Sequence, residues 1–205
     1  MTGVPDRRRR VNRSVSPRNL SFVPRQVHLF ERPSRFVAGT VGQPGDRTFY
    51  LQASDSDGRT VSVALEKTQV QVLADRMNEL LDEIAERPGT VIPPDAPIDD
   101  LEPLVAPVDE EFRVAAMGLA WDGAAQAVVV EAVAATDEPI DEDAILSDSE
   151  EGPDALRVTI TPAAARAFVA RARRVIAAGR PSCPLCSLPL DPTGHVCPRQ
   201  NGYRR

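Results

Sequence analysis

The chain has 205 residues, of which 42% are hydrophobic and only 4% aromatic, and it carries a formal net charge of −6. That length suffices for one domain, or for two small ones around a shared core, and the shortage of aromatics leaves packing to Val, Leu, Ile and Ala. No apolar run approaches a membrane span and no signal-peptide pattern is present, so the expectation is a soluble cytoplasmic protein; an acidic chain is also a poor general ligand for nucleic-acid phosphates.

Residues 1–24 are rich in Arg, Ser, Pro and Asn without periodicity and read as a disordered basic arm. Residues 26–30 alternate as a short strand, with Val27 and Leu29 on one side and His28 and Phe30 on the other. Two further strands, 34–41 and 47–53, flank a turn built on Gly42, Pro44 and Gly45. Gly39 inside the first of them points to a bulge or a close backbone approach. A turn at Asp57-Gly58 leads to a strand at 60–65, where Val61, Val63 and Leu65 alternate with Thr60, Ser62 and Ala64. The chain then runs straight into a helix that lasts to about residue 83. Lys67, at that junction, is the only lysine among 24 basic residues and reads as a surface cation, with an activated amine as the rival reading.

Residues 87–110 form a linker with six prolines between Pro88 and Pro107, extended and not helical, with Ile98, Leu101 and Leu104 available to pin it to the body. Beyond it come two strands, 111–120 and 126–134, around the hairpin turn Trp121-Asp122-Gly123-Ala124. The acidic stretch 137–154, with Ser147 and Ser149 inside it, reads as a solvated loop of no set structure; a regulatory or partner-binding insertion is the alternative. A strand at 156–160 then feeds a second helix, with Thr161 as cap, Pro162 in the first turn and Gly179 at the end.

With Leu65 placed on Ile160, the two strand-to-helix stretches align without a gap. Val63, Val70, Leu73, Ala74, Met77, Leu80 and Leu81 face Val158, Ala165, Phe168, Val169, Ala172, Val175 and Ile176, the three- and four-residue spacing of one buried helical stripe. The expected fold is therefore α+β: an internal duplication of a strand-strand-strand-helix unit, with antiparallel sheets related by a pseudo-twofold axis. The first unit covers 25–86 and the second 111–179. Residues 180–205 are left as a short tail.

That tail holds all three cysteines of the chain. Cys183 and Cys186 form a C-x2-C pair, and His195 with Cys197 returns as H-x-C; three thiolates and one imidazole make a complete tetrahedral set for structural zinc. Because His195 and Cys197 are separated only by Val196, the last turn must curl, or Asp191 or His28 must replace one ligand. A redox C-x2-C pair is the rival, though such a pair normally opens a helix after a strand.

No glycine-rich phosphate loop follows a strand, and no nucleophile–base pair or fixed carboxylate dyad can be assembled. The leading expectation is thus a non-enzymatic protein-binding or adaptor protein with a structural zinc site, with no membrane partner. Nucleic-acid binding through the zinc tail, or an enzyme with a site between the two units, are the alternatives.

The runs RFVAGTVG, RTFYLQA and VALEK, with CPLC and DPTGHVCPRQNGYRR in the tail, resemble an uncharacterised actinobacterial repeat-protein family, the domain of unknown function DUF3090. The resemblance covers about residues 25–205, and the tail motif is its most specific part. It implies a cytoplasmic protein and supplies no catalytic residues.

Overall fold

The computed structural model describes residues 25–43, 45–87, 89–90, 92–93, 100–136, 145–147, 149, 151–179, 183–186, 190 and 197–199. The basic arm therefore lies outside the described residues. In chain order the elements are β1 (Val27–Glu31), β2 (Arg35–Gln43), β3 (Asp46–Ser54), β4 (Thr60–Leu65), α1 (Lys67–Ala85), β5 (Glu110–Asp122), β6 (Ala127–Ala134), β7 (Ala155–Ile160) and α2 (Pro162–Ala177). Local chemistry accounts for most of the boundaries. Gly42, Gly45 and Gly58 all sit at positive φ, where a side chain is disfavoured, and each lies at a hairpin turn. Thr161 accepts the Ala164 N–H at 3.2 Å to cap α2, while Gln69 reaches back to the Glu66 N–H at 2.8 Å to close the start of α1.

The strands form one seven-stranded sheet in the order β1-β7-β6-β5-β4-β3-β2. It is mixed and not antiparallel as expected, because β1 pairs parallel to β7 and β4 pairs parallel to β5. The order strand-strand-strand-helix occurs twice along the chain, and the parallel pairing of β4 with β5 is matched by that of β7 with β1.

The sheet cannot be flat. Only three residues connect β1 to β2, a reach of at most ~14 Å, whereas six interstrand steps in a flat sheet would separate these outermost strands by ~29 Å. The sheet therefore rolls until its ends meet. Two corners permit this. At one, Arg32 takes a positive φ of 51° between β1 and β2, its N–H still bonded to the Thr159 carbonyl. At the other, the long β5 pairs with β4 through Glu110 and Arg113, shifts register between Val114 and Ala116, and continues on β6. Strands that switch sheets at a bend or bulge are the usual means of turning such corners.

The inward faces of the roll and the two helices share one core. Phe30, Phe49, Leu51, Val63, Leu65, Val130, Val158 and Ile160 meet Leu73, Met77 and Leu81 from α1 and Ala165, Phe168 and Ala172 from α2. Phe36 on β2 stacks on Phe168 with ring centroids 4.9 Å apart. Such a pair contributes about 0.5–1.5 kcal/mol beyond its area burial, and it seats α2 against the edge strand β2.

Two arginine–carboxylate networks complete the body. Glu131, fully buried in the middle of β6, binds Arg25 and Arg157 at 2.6 Å each. Arg157 also donates to the Ser147 carbonyl and Arg25 to the Pro153 carbonyl, and Ile145 and Leu146 pack over Gly118 of β5. The described part of the acidic stretch is thus strapped to the outer face of the sheet, contrary to the expectation of a loop without set structure. In the second network, Arg35 and Arg171 grip Asp100 and the Glu102 carbonyl. Gln52 meanwhile holds both the N–H and the carbonyl of Val105. These bonds lay residues 100–105 of the linker across β2 and α2. Leu104 is buried beside Gly39, so close that a Cβ on that glycine would stand 2.5 Å from it, the close approach expected there. Leu101, by contrast, stays 59% exposed because the arginines attach the backbone in its place, and Ile98 lies outside the described residues.

Candidate metal centre

Helix α2 ends at Ala177, and its last turn is closed by the Ala178 N–H on the Arg174 carbonyl. Four residues beyond Gly179 the chain reaches Cys183, which opens a turn through Pro184 and Leu185 to Cys186. Proline fixes its own φ and favours such a turn. The turn points backbone amides at the first sulfur: the Leu185 N–H lies 3.4 Å from Cys183 Sγ. The Cys186 and Leu185 amides, in that order, hold the Cys183 thiol below its ordinary pKa; burial opposes them, and the neighbouring Cys186 and Cys197 side chains add to the lowering. N–H donors around a sulfur favour the thiolate, the form that binds metal, over the thiol.

Cys197 returns to the same place. Its Sγ is 3.9 Å from that of Cys183, both residues are buried, and the three sulfurs of Cys183, Cys186 and Cys197 all lie within 4.8 Å of one another. Tetrahedral zinc with Zn–S bonds of about 2.3 Å places its sulfurs about 3.8 Å apart, so the donor set fits an ion of that kind. The sulfurs are free thiols, and 3.9 Å is far beyond a disulfide bond. The redox alternative also lacks its usual setting, since the C-x2-C pair follows a helix and forms a turn with a third sulfur beside it. Three close cysteines can hold a metal ion.

The other residues singled out in the sequence fall elsewhere. His195 and Asp191 lie outside the described residues. His28 is buried on β1 with its Nε2 3.5 Å from a Glu111 carboxylate oxygen, and it is not part of the sulfur cluster. Trp121 is half-buried and packs on the edge of the core. Lys67 is the exposed first residue of α1. The residues that sequence reasoning missed are Glu131 with its two arginines and Asp100 with its two. The hydrogen bond donated by Arg35 holds the Asp100 carboxyl below the usual carboxylate range; burial opposes it, and the charges of Arg171 and Arg35 add to the lowering. One signal was available for the first network: Glu131 is the lone charge in the run AVVVEAVA.

Among the described residues, no helix is long and apolar enough to cross a membrane. No curated protein and no solved structure matches the chain. The family model described as a protein of unknown function (DUF3090) matches residues 28–197, so the chain belongs to that family.

Proposed function

We propose that this member of the DUF3090 family is a non-enzymatic protein-binding adaptor whose tail is held in shape by one structural zinc ion. The observation that carries the proposal is the convergence of Cys183, Cys186 and Cys197 within 4.8 Å at the end of a helix, on a turn that displays Leu185 with 48% of its surface exposed. His195 is the natural fourth ligand, because a closed tetrahedral site needs one more nitrogen or sulfur donor and His195 stands two residues before Cys197. Zinc bound there neutralises the thiolates and orders a segment that contributes little apolar surface of its own. The ordered turn then offers a small apolar contact to another protein, in the way that anchors at interface centres do.

The test is a comparison of the intact chain with the Cys183→Ser/Cys186→Ser double variant, each used as bait in native extract after its body is shown to melt alike. The adaptor reading expects a specific set of proteins to be retained by the intact chain and lost by the variant. Identical retention by both overturns it.

A further inference from the structure

Lys67 and Arg47 converge on one cavity of about 190 Å³, lined by Gly45, Arg47, Phe49, Lys67 and Gly179. A methyl group placed on Gly179 would stand 3.8 Å from both Arg47 Nη2 and Lys67 Nζ, so the two cationic groups are no more than twice that distance apart. Two cations held this close can share one anion between them. No carboxylate of a described residue lines this cavity, whereas three others contain Asp55 and Asp57, Asp75, or Asp100. Among the described residues neither cation has an acidic partner. The adjacent Glu66 is engaged by Arg113 at 3.2 Å, and most other described arginines on the folded body are paired with carboxylates.

The cavity is built and not incidental. Arg47 and Phe49 project from the same face of β3, and the guanidinium lies 5.8 Å from the centre of the buried Phe49 ring, which steadies it and forms an apolar floor. Lys67 is set by the junction of β4 with α1. Two walls are glycines, which leave backbone room where side chains would fill it. The C-terminal end of α2 lies beside the cavity and its partial negative charge eases the approach of two cations, but neither cation donates a hydrogen bond to it.

We infer that Arg47 and Lys67 form a binding site for the phosphoryl group of a phosphate monoester. An arginine fork and a point-charge lysine take separate oxygens of one dianion through charge-assisted bonds of about 2.7–2.9 Å. A cavity of about 190 Å³ is smaller than pockets that enclose whole drug-sized ligands, so the phosphoryl group enters and the remainder of the molecule stays outside.

The experiment titrates the full-length chain with inorganic phosphate, glycerol phosphate, a phosphoserine tripeptide and acetate in low-salt, phosphate-free buffer, read by calorimetry. Binding of phosphate should saturate, and at least one monoester should bind as well as phosphate does. Which of the two binds better distinguishes a small metabolite from a modified protein segment as the source. Acetate should bind about tenfold or more weakly. Arg47→Gln and Lys67→Gln should each weaken phosphate binding about tenfold or more, and Gly179→Val should weaken it by filling the cavity with both charges in place. Arg76→Gln, on the exposed face of α1, should leave it unchanged. Lys67 is exposed and its variant keeps the test open if Arg47→Gln fails to fold. Phosphate binding that survives Lys67→Gln, monoesters that bind no better than acetate, or no saturable binding at low salt overturns the assignment.

Discussion

The body and the tail of this protein are held together by different means. In the body, side chains such as Leu51, Val63, Met77, Leu81 and Val158 are wholly buried, and even the charged Glu131 is wrapped by two arginines. In the described tail the buried side chains are Cys183 and Cys197, while Leu185 faces outward. A region of the first kind draws most of its order from apolar burial. A region of the second kind has too little to bury and must draw its order from bonds to an ion. The lesson is that one chain can separate a self-sufficient scaffold from a ligand-dependent end, and that the two should fail independently.

That separation can be broken most severely in the body. Glu131→Ala removes the buried carboxylate that Arg25 and Arg157 share and should cost about 3–5 kcal/mol of stability, measured as a fall in the denaturant midpoint. Phe168→Ala removes one ring of the Phe36 stack and should cost about 3 kcal/mol, with the thiol cluster still able to take metal. Thr161→Ala should cost about 1 kcal/mol through loss of the α2 cap. In the tail the expected effect on the body is smaller still. Chelation should raise hydrogen exchange at the Leu185 and Cys186 amides while the global unfolding midpoint stays in place.

A pH measurement sharpens the comparison further. Asp100 titrates below its ordinary value in the folded chain, so its contribution to stability is fully present above the unfolded pKa of about 3.9 and is lost as pH falls through the lower folded pKa. Stability of the body should therefore decline on the acid side of about pH 4, and Asp100→Asn should flatten that part of the curve. A curve of unchanged slope in the variant would mean that the Arg35–Asp100–Arg171 grip is not made in solution.

Much of the body was legible because its elements are periodic. The stripe Leu73, Ala74, Met77 and Leu81 and its counterpart Phe168, Val169 and Ala172 are buried as their spacing requires. Strand order was not legible. The parallel pairing of β4 with β5 spans the linker, and nothing in either strand's alternation specifies which edge its partner takes. Arg166 and Arg171 were hidden for another reason: stripe reasoning treats arginine as a surface residue, yet both are buried on α2, where Arg166 meets Asn78 and Asp82 of α1 and Arg171 meets Asp100. The strap formed by the described residues of 145–154 escaped because a run of acids reads as solvated, while one anchor, Arg25, comes from distant sequence and the other, Arg157, from the strand that follows. In the tail the spacing of cysteines was enough to bring Cys183, Cys186 and Cys197 together. The convergence of Arg47 and Lys67 left no sequence signal, since it depends on the end of α2 arriving beside the first turn of α1.

Native mass spectrometry of the purified chain, set beside the Cys183→Ser variant, addresses the metal staple most directly. The account predicts a mass increment of a single zinc ion on the intact chain, removed by a strong chelator, restored by added zinc, and missing from the variant. An intact chain that takes up no zinc when micromolar free metal is supplied, or a variant that binds it equally well, contradicts the account.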